Sequence, residues 1–336
     1  MVGPEEDGRA ASGWTRRTLL ERGALAAAGL ATPALLSACG ASSGGKERIA
    51  FSHANSGTPV ATAVQRFASQ RAAASDVKML FGDPQLKEDR QVQEVETWIT
   101  QSVPAICVFP VTLDSIVPLV RRARDKQLVF TSYALKLPGA NGAVLFSHAE
   151  SGRKLGEHAV QWINTHLGGR GKALILGAKS ASPDLQPRVT IPRQLLTEQT
   201  HVTIIGEQDA TDPTTGLQVT EAVLRAHPDL NIVIGLNDDG ALGAMRAFVN
   251  AGKDPSKVYI GGQDGGLEAL KAVQAGGFYK ATAALSLRDI GYAIVDLNKR
   301  LIKTKGEGDV NVPIRLIAQD QKQYLAQALK EWGQAG

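Results

Sequence analysis

Six short loops rich in glycine and polar residues hold the side chains of this sequence that are best suited to chemistry. Each loop follows or ends a short apolar run, and together they span residues 53–59, 82–84, 133–134, 177–184, 237–240 and 261–266. Their hydroxyl, amide and carboxylate groups donate and accept hydrogen bonds, which is the chemistry of binding a polar ligand. If the runs are parallel strands, the loops meet at one edge of a sheet, where open α/β sheets bind ligands.

Motifs that would indicate catalysis or a metal ion are missing. No G-x-G-x-x-G follows the first apolar run, and the chain has no P-loop. The six histidines show no metal-ligand spacing, although His53 and His148 end apolar runs and are candidates for the edge of a cleft. Asp238 and Asp239 stand at a predicted helix start, where a carboxylate caps the helix. The sequence therefore predicts no catalytic residue, metal site or cofactor, and no enzyme.

Charge argues against nucleic acid as a partner. The chain has 37 basic and 33 acidic residues, a net charge of +4. Its densest basic group, Arg121-Arg122-x-Arg124, falls on a predicted helix and is typical of a solvated helix face.

Residues 1–38 are typical of an export leader. A basic segment with Arg16 and Arg17 precedes an apolar run over 24–36, which is shorter than the roughly 20 residues that span a bilayer. The segment around the two arginines resembles a twin-arginine signal, which would export the chain already folded. The alternative is general secretion of the unfolded chain.

Leu36-Ser37-Ala38-Cys39 closes this leader and resembles the lipid-attachment motif of bacterial lipoproteins. The resemblance implies cleavage before Cys39, a lipid on that cysteine and a Gly/Ser-rich tether over residues 39–46. The alternative is an unmodified small residue near a cut site. We expect an extracytoplasmic protein anchored to the cell membrane, in the periplasm or on the outer face of the plasma membrane. The other cysteine, Cys107, lies in an apolar run and is predicted to be a buried free thiol.

Apolar runs alternate with amphipathic stretches along the rest of the chain, which predicts α/β architecture with parallel sheets. The runs are continuous, as expected of strands covered on both faces. A helix is predicted over 240–251 with Asp238 or Asp239 as its N-cap. Strands are predicted at 48–52, 77–81, 105–109, 128–131, 143–146, 172–176, 202–205, 232–236 and 258–261.

Two domains are expected, because the 298 residues after the leader exceed what one core usually organises. No long linker separates them, so the chain must cross between domains in short segments. The best first candidate is 146–151, where an apolar run gives way to polar residues.

Two segments resemble the type I periplasmic sugar-binding proteins that feed ABC importers. The stretch from Ala226 to Ala244 is similar to the family pattern AHPD…NDxxALGA, and Val258 to Gly265 is similar to its strand ending in Asp-Gly. The resemblance implies two doubly wound parallel-sheet domains joined by a three-segment hinge. It places residues 47–147 and 286–315 in an N-terminal lobe, and 148–285 and 316–336 in a C-terminal lobe.

The resemblance also implies ligand contacts. Asn237 and Asp264 fall at family contact positions, and Arg188 lies where these proteins place a guanidinium facing the ligand. Such groups suit sugar hydroxyls, which both donate and accept hydrogen bonds. The alternatives are a helix cap for Asn237, a turn for Asp264 and a surface position for Arg188. Asn55 and Thr58, in the first loop, are further predicted ligand contacts and come from the N-terminal lobe.

Three departures from the family pattern make the N-terminal side of the predicted pocket less polar. Val60 and Ala61 replace paired aromatic residues, Tyr133-Ala134 replaces an Asp-Arg pair, and Leu285 replaces a glutamine. Tyr133 is predicted to stack on the ligand or donate a hydrogen bond; the alternative is a ring packed on the hinge. The expected ligand is a deoxy-sugar, a polyol or another small cyclic compound.

The resemblance implies a monomeric solute receptor that delivers its ligand to an ABC permease. The alternative is a sensor of the same fold that signals to a membrane kinase, and the sequence does not separate the two. Repressors share the fold but need an N-terminal helix-turn-helix, where this chain has a leader.

Overall fold

A computed structural model describes residues 46–177 and 183–335. The predicted leader with Arg16 and Arg17, the lipid site Cys39 and most of the predicted tether lie outside these ranges. Within them, no helix is long and apolar enough to cross a bilayer.

Twelve strands in the described residues form two six-stranded sheets. The first sheet contains β1 Glu47–His53, β2 Val77–Gly82, β3 Ala105–Phe109, β4 Val129–Tyr133, β5 Gly142–Leu145 and β11 Val310–Asn311. The second contains β6 Arg170–Gly177, β7 His201–Asp209, β8 Leu230–Gly235, β9 Tyr259–Asp264, β10 Tyr279–Leu285 and β12 Ile314–Ala318.

The two sheets share one strand order. It runs β11-β5-β4-β3-β1-β2 in the first sheet and β12-β10-β9-β8-β6-β7 in the second. All pairs are parallel except β10 with β12, which adds an antiparallel edge. In each sheet the order reverses beside the first strand, and this reversal opens a crevice at the carboxyl ends of the strands.

Helices cover both sheets. The first sheet packs with α1 Pro59–Ala73, α2 Glu88–Thr100, α3 Leu113–Asp125 and α9 Leu287–Thr304. The second packs with α4 His148–Leu167, α5 Pro187–Gln199, α6 Pro213–Ala226, α7 Asp238–Asn250, α8 Leu267–Ala275 and α10 Lys322–Ala335. Central strands are buried on both faces, as their continuous apolar runs predict. The predicted fold class, two doubly wound lobes joined by a three-segment hinge, is confirmed.

The chain passes between the lobes three times. It crosses at residues 146–147 between β5 and α4, at Ser286 between β10 and α9, and at 312–313 between β11 and β12. The first crossing lies inside the predicted segment 146–151. The last falls earlier than the predicted boundary at 315, because Ile314 and Arg315 already pair with Leu285 and Ala284 in the second sheet.

All nine predicted strands are present, and three more were not predicted. In β10 the sequence Tyr-Lys-Ala-Thr-Ala-Ala-Leu contains small and polar residues, so it lacks a strong apolar run although most of it is buried. The predicted helix at 240–251 starts two residues earlier, and its N-cap is Asn237 rather than either aspartate. Cys107 is buried, as predicted, and burial raises the pKa of its thiol to about 12.

Candidate ligand-binding cleft

A cavity of about 950 Å³ lies between the two lobes. It is bounded by the carboxyl ends of β1 and β3 in the first lobe, through His53 and Phe109, and by the loop after β8 in the second, through Leu236. Both strand-order reversals therefore face the same space. The volume is in the range of small-molecule sites, about 300–1,000 Å³.

The first lobe presents aromatic rings to the cavity. Tyr133 is at the centre, and its ring centroid lies 5.9 Å from that of His53, 5.7 Å from Phe109 and 6.0 Å from Phe146. These four residues, here called the aromatic wall, contact one another in tilted or edge-to-face geometry, which aromatic pairs prefer. Pro59, Val60 and Leu135 extend this apolar surface.

The Tyr133 hydroxyl lies at the centre of the aromatic wall. Tyr133 is only 3% exposed, and its hydroxyl makes no hydrogen bond to another described residue. Burial is the main cause that raises the pKa of the phenol, with the charge of Asp264 adding to it. The group therefore stays protonated and can donate to a ligand.

His53 is neutral in this setting. Its Nδ1 accepts a hydrogen bond of 3.2 Å from the backbone N–H of Asn55, so the ring proton is on Nε2. Burial lowers the pKa of His53 to about 4.

A buried glutamine fixes the loop that follows β3. The Gln91 Nε2 donates to Phe109 O at 2.9 Å and to Ser52 Oγ at 3.1 Å, and its Oε1 accepts from Val111 N at 2.7 Å. Gln91 is fully buried, and an amide that bonds through both ends holds the loop in one position. Phe109 is thereby fixed beneath the cavity.

The second lobe presents charges. Arg188 is 4% exposed, and its Nη1 lies 2.6 Å from Asp264 Oδ1 and donates to Leu236 O at 3.3 Å. Its Nε donates to His148 Nδ1 at 3.0 Å. Arg188, Asp264 and His148 are here called the charged wall. The Arg188 guanidinium also lies 6.0 Å from the Phe146 ring, where the two walls meet.

His148 is held neutral by its neighbours. Burial, and then the positive charge of Arg188, lower the pKa of His148 to about 3. Since Nδ1 accepts from the guanidinium, the ring proton is on Nε2, which makes no hydrogen bond to another described residue.

Close helix packing places Arg188 beside His148. Arg188 is the second residue of α5, which approaches α4 so closely that a Cβ on Gly152 would lie 2.3 Å from Pro187 O. Buried Gln263 then fixes the start of α5, because its Nε2 donates to Arg188 O at 2.9 Å and to Gly235 O at 3.1 Å. Its Oε1 accepts from Ser151 Oγ at 2.7 Å.

The backbone at Asp264 is strained. Asp264 has φ 114°, which is unfavourable for a residue with a Cβ, and Gly265 follows with φ 75°. Such a conformation persists only where its surroundings enforce it, and here it directs the carboxylate towards Arg188. Backbone strain of this kind is frequent at ligand sites.

Two further aspartates line the cavity beside Asp264. Asp238 is buried, and its carboxylate accepts from Tyr279 Oη at 2.7 Å and from Gly266 N at 2.8 Å. Burial, and then the charge of Asp264, raise the pKa of Asp238 to about 7. Partial burial of its carboxyl group, and then the charge of Asp264, also raise the pKa of Asp239. Asp238, Asp239 and Asp264 therefore lie together at the cavity, and Arg188 forms its ion pair with Asp264.

The structure brings five of the six predicted contact residues to the cavity: Thr58, Tyr133, Arg188, Asn237 and Asp264. Thr58 and Asn237 also cap α1 and α7, accepting from Ala61 N and Gly240 N. Asn55 does not line the cavity; its Oδ1 accepts from Gly57 N, so the side chain is used within its own loop.

Among the lining residues that sequence reasoning missed are Phe109, Phe146 and Trp332. The first two end or follow apolar runs, so their position was a usable signal. Trp332 is on the C-terminal helix, and nothing in the sequence near it indicates a cleft. The described residues contain no group of three or more metal-ligating side chains.

Comparison with known proteins identifies the family. A family model described as a periplasmic binding protein domain matches residues 49–307. The ribose import binding protein RbsB of Bacillus subtilis is 27% identical over 222 residues, covering 64% of this chain and 69% of that protein. The xylitol-binding protein of Mycolicibacterium smegmatis is 29% identical over 217 residues, covering 62% of this chain and 59% of that protein.

Solved structures share the fold. An ABC transporter solute binding protein from Bacillus halodurans with bound myo-inositol superposes with a TM-score of 0.75 at 23% identity, covering 84% of this chain and 98% of that one. The matched residues 49–307 take in both sheets except β11 and β12, the last strand of each, and include most of the residues that line the cleft. The chain therefore belongs to the type I periplasmic sugar-binding protein family.

Proposed function

We propose that this protein binds a small sugar-like solute, such as a polyol or a deoxy-sugar, between its lobes and delivers it to the permease of an ABC importer. The observation that carries the proposal is the cavity itself, which opposes the charged wall to the aromatic wall. Relatives named for ribose and xylitol support the ligand class.

The polar groups of the cleft suit hydroxyls in particular. Asp264 supplies an acceptor, while Arg188, His148 Nε2 and Tyr133 supply donors, and a hydroxyl can satisfy both kinds. Charge-assisted hydrogen bonds are roughly twice as strong as neutral ones, so the charged wall orients the ligand. The opposite face of the ligand then packs on rings, which suits a sugar face or a deoxy carbon.

Ligand-driven closure is the proposed mechanism. A ligand that contacts both walls binds more tightly to the arrangement in which the walls are close, and this difference in affinity shifts the population towards it. The three short crossings form the proposed hinge. The permease would recognise the closed form.

The proposed location is extracytoplasmic, with the monomer held at the membrane by lipid on Cys39. Support comes from the leader and the motif Leu36-Ser37-Ala38-Cys39 and from the periplasmic binding family itself. In cells, Cys39→Ser should move the protein from the membrane fraction to the soluble extracytoplasmic fraction. Continued sedimentation of the variant with membranes would contradict the anchor.

Calorimetric titration of the purified protein tests the ligand class. The panel comprises xylitol, myo-inositol, ribose and a 6-deoxyhexose, with leucine and glutamate as controls of similar size. We expect saturable binding of at least one hydroxylated compound, accompanied by stabilisation of about 2.7 kcal/mol at 100 times its Kd. Binding of only the amino acids would contradict the proposal.

A further inference from the structure

The C-terminal helix α10 contacts both lobes. It packs on α8 and β12 of the second lobe, with Leu325 buried in the core there. Its last turns also reach the first lobe. Gln70 Nε2, on α1, donates to Gln334 O at 3.0 Å, and Arg288 Nη2, on α9, lies 3.3 Å from Glu331 Oε1.

Between these two first-lobe contacts, α10 directs Trp332 towards the ligand cleft. Trp332 lines the 950 Å³ cavity and also a smaller cavity of about 30 Å³ beside the second crossing at Ser286. Its indole Nε1 donates to Gly265 O at 2.8 Å. Trp332 therefore lies on α10, beside the second crossing, and contacts the turn that carries Asp264.

The turn that receives this hydrogen bond carries Asp264. Gly265 N donates to Thr282 Oγ1 at 3.2 Å and Gly266 N donates to Asp238 Oδ2 at 2.8 Å, so Trp332 provides the third point of attachment. A Cβ on Gly265 would lie 2.5 Å from Ala284 Cβ, which leaves the turn little freedom on the side of β10.

We propose that Trp332 is a positioning residue that links the arrangement of the lobes to the ligand site. Contacts of α10 with α1 and α9 depend on the interlobe arrangement, and Trp332 carries any displacement of α10 to the Asp264 turn. The ligand-binding role of Asp264 rests on the proposed function; the mechanical link does not.

The link predicts an effect that can be measured without ligand. Trp332→Phe keeps an aromatic ring and removes the N–H, so the Asp264–Gly266 turn should open more often. Amide hydrogen exchange of the full chain should quicken about two- to tenfold in peptides covering residues 264–268, the factor expected for one lost hydrogen bond. Peptides from β1 and β2 should be unchanged.

Trp162→Phe is the matched control. Trp162 is a partly buried tryptophan on α4 of the same lobe, stacked on His166, away from the cleft. Its substitution should leave exchange at 264–268 as in the parent protein. Equal acceleration in both variants, or acceleration over the whole chain in Trp332→Phe, would reduce Trp332 to a structural role and overturn the proposal.

Arg288→Ala tests transmission from the first lobe. It removes the partner of Glu331 and should also quicken exchange at 264–268, although the ion pairs of Arg288 are with Glu331 and Asp289 and not with that turn. In the Trp332→Phe background it should add nothing. If the two substitutions quicken exchange at 264–268 additively, the effect of Arg288 on the turn does not depend on Trp332, which would overturn the proposal.

Titration with xylitol and myo-inositol separates this proposal from the proposed function. If either compound binds the parent protein, Trp332→Phe should weaken it while Trp162→Phe does not. If neither binds, the ligand class is in doubt while the exchange result still decides the link. Unchanged affinity alongside quickened exchange would overturn the coupling to the ligand site.

Discussion

The two walls of the cleft stand on similar scaffolds and differ in what they present. Each is placed by the carboxyl ends of a parallel sheet with the same strand order, and each has a loop fixed by a fully buried glutamine, Gln91 in the first lobe and Gln263 in the second. The first wall presents rings around Tyr133, and the second presents the Arg188–Asp264 pair.

This difference assigns separate roles to the lobes. Ring packing is tolerant of small shifts in a ligand, whereas a buried ion pair demands partners in defined positions. We expect the second lobe to fix the orientation of the ligand and the first lobe to supply contact area. Substitutions on the two sides should therefore affect affinity unequally.

The largest effect is expected at the ion pair. Arg188→Gln leaves Asp264 without its cation and should weaken ligand binding at least a hundredfold, about 3 kcal/mol, because one partner of a buried pair is lost. Arg193→Gln is the control, since Arg193 is on the same helix, is exposed, and its side chain pairs with half-buried Glu207. Calorimetry on both variants checks this. Equal affinities would show that the charged wall does not orient the ligand.

The buried glutamines allow the same change to be made behind each wall. Gln263→Leu and Gln91→Leu each leave several buried partners unsatisfied and should lower the free energy of unfolding by about 2–3 kcal/mol. Only Gln263→Leu should also weaken binding tenfold or more, because it releases the start of α5 that carries Arg188. Urea unfolding and calorimetry measure the two quantities. Similar losses of affinity would remove the distinction between the walls.

Acidification should destabilise the protein through one histidine from each wall. The pKa values of folded His53 and His148 are about 4 and about 3, against a usual 6.5. Between about pH 6.5 and 4 the unfolded chain therefore binds more protons at these histidines than the folded protein does. The free energy of unfolding falls as pH falls, on the order of 2 kcal/mol for each histidine. Asp238, whose pKa is raised to about 7 from 3.8, opposes this with the contrary sign.

Two variants separate these contributions in urea unfolding at about pH 7 and pH 4.5. His53→Gln should lose less stability on acidification than the parent protein. Asp238→Asn should lose more, because the opposing contribution is gone. A loss of stability in His53→Gln as large as in the parent protein would contradict the neutral assignment of His53.

The smallest effect is expected at the Tyr133 hydroxyl of the aromatic wall. Tyr133→Phe removes a hydroxyl that bonds to no other described residue, so the free energy of unfolding should stay within about 0.5 kcal/mol. Ligand affinity should fall by about 1 kcal/mol, the value of one hydrogen bond. Loss of stability without loss of affinity would favour the alternative that Tyr133 only packs on the hinge.

Sequence patterns predicted most of the fold because the central strands are buried on both faces. Their continuous runs of large apolar residues marked nine strands. The strands that escaped prediction lack that signal: β10 relies on alanine and threonine, β11 is two residues long, and β12 is an antiparallel edge with a charged Arg315. Their pairing depends on partners far away in the chain.

The site was predictable where a residue follows a strand and less so elsewhere. Tyr133, Asn237 and Asp264 could be placed from the strand ends, whereas Arg188 depended on the family resemblance. Asn55 was placed at the cleft from its loop, but it does not line the cavity; a short amide can also bond to its own backbone, and sequence does not reveal which bond it makes. Trp332 could not be foreseen, since it reaches the cleft only through the packing of α10.

The three crossings also bear on the order in which the lobes can fold. The first lobe requires α9, whose Asn298 accepts the Thr131 hydroxyl at 2.9 Å, yet most of the second lobe is synthesised between these residues. The second lobe has five of its six strands within residues 170–285 and waits only for β12 and α10. Distant contacts delay folding. We therefore expect both lobes to complete late, because the first lobe needs α9 and β11, and the second lobe needs β12 and α10, which follow them in the chain.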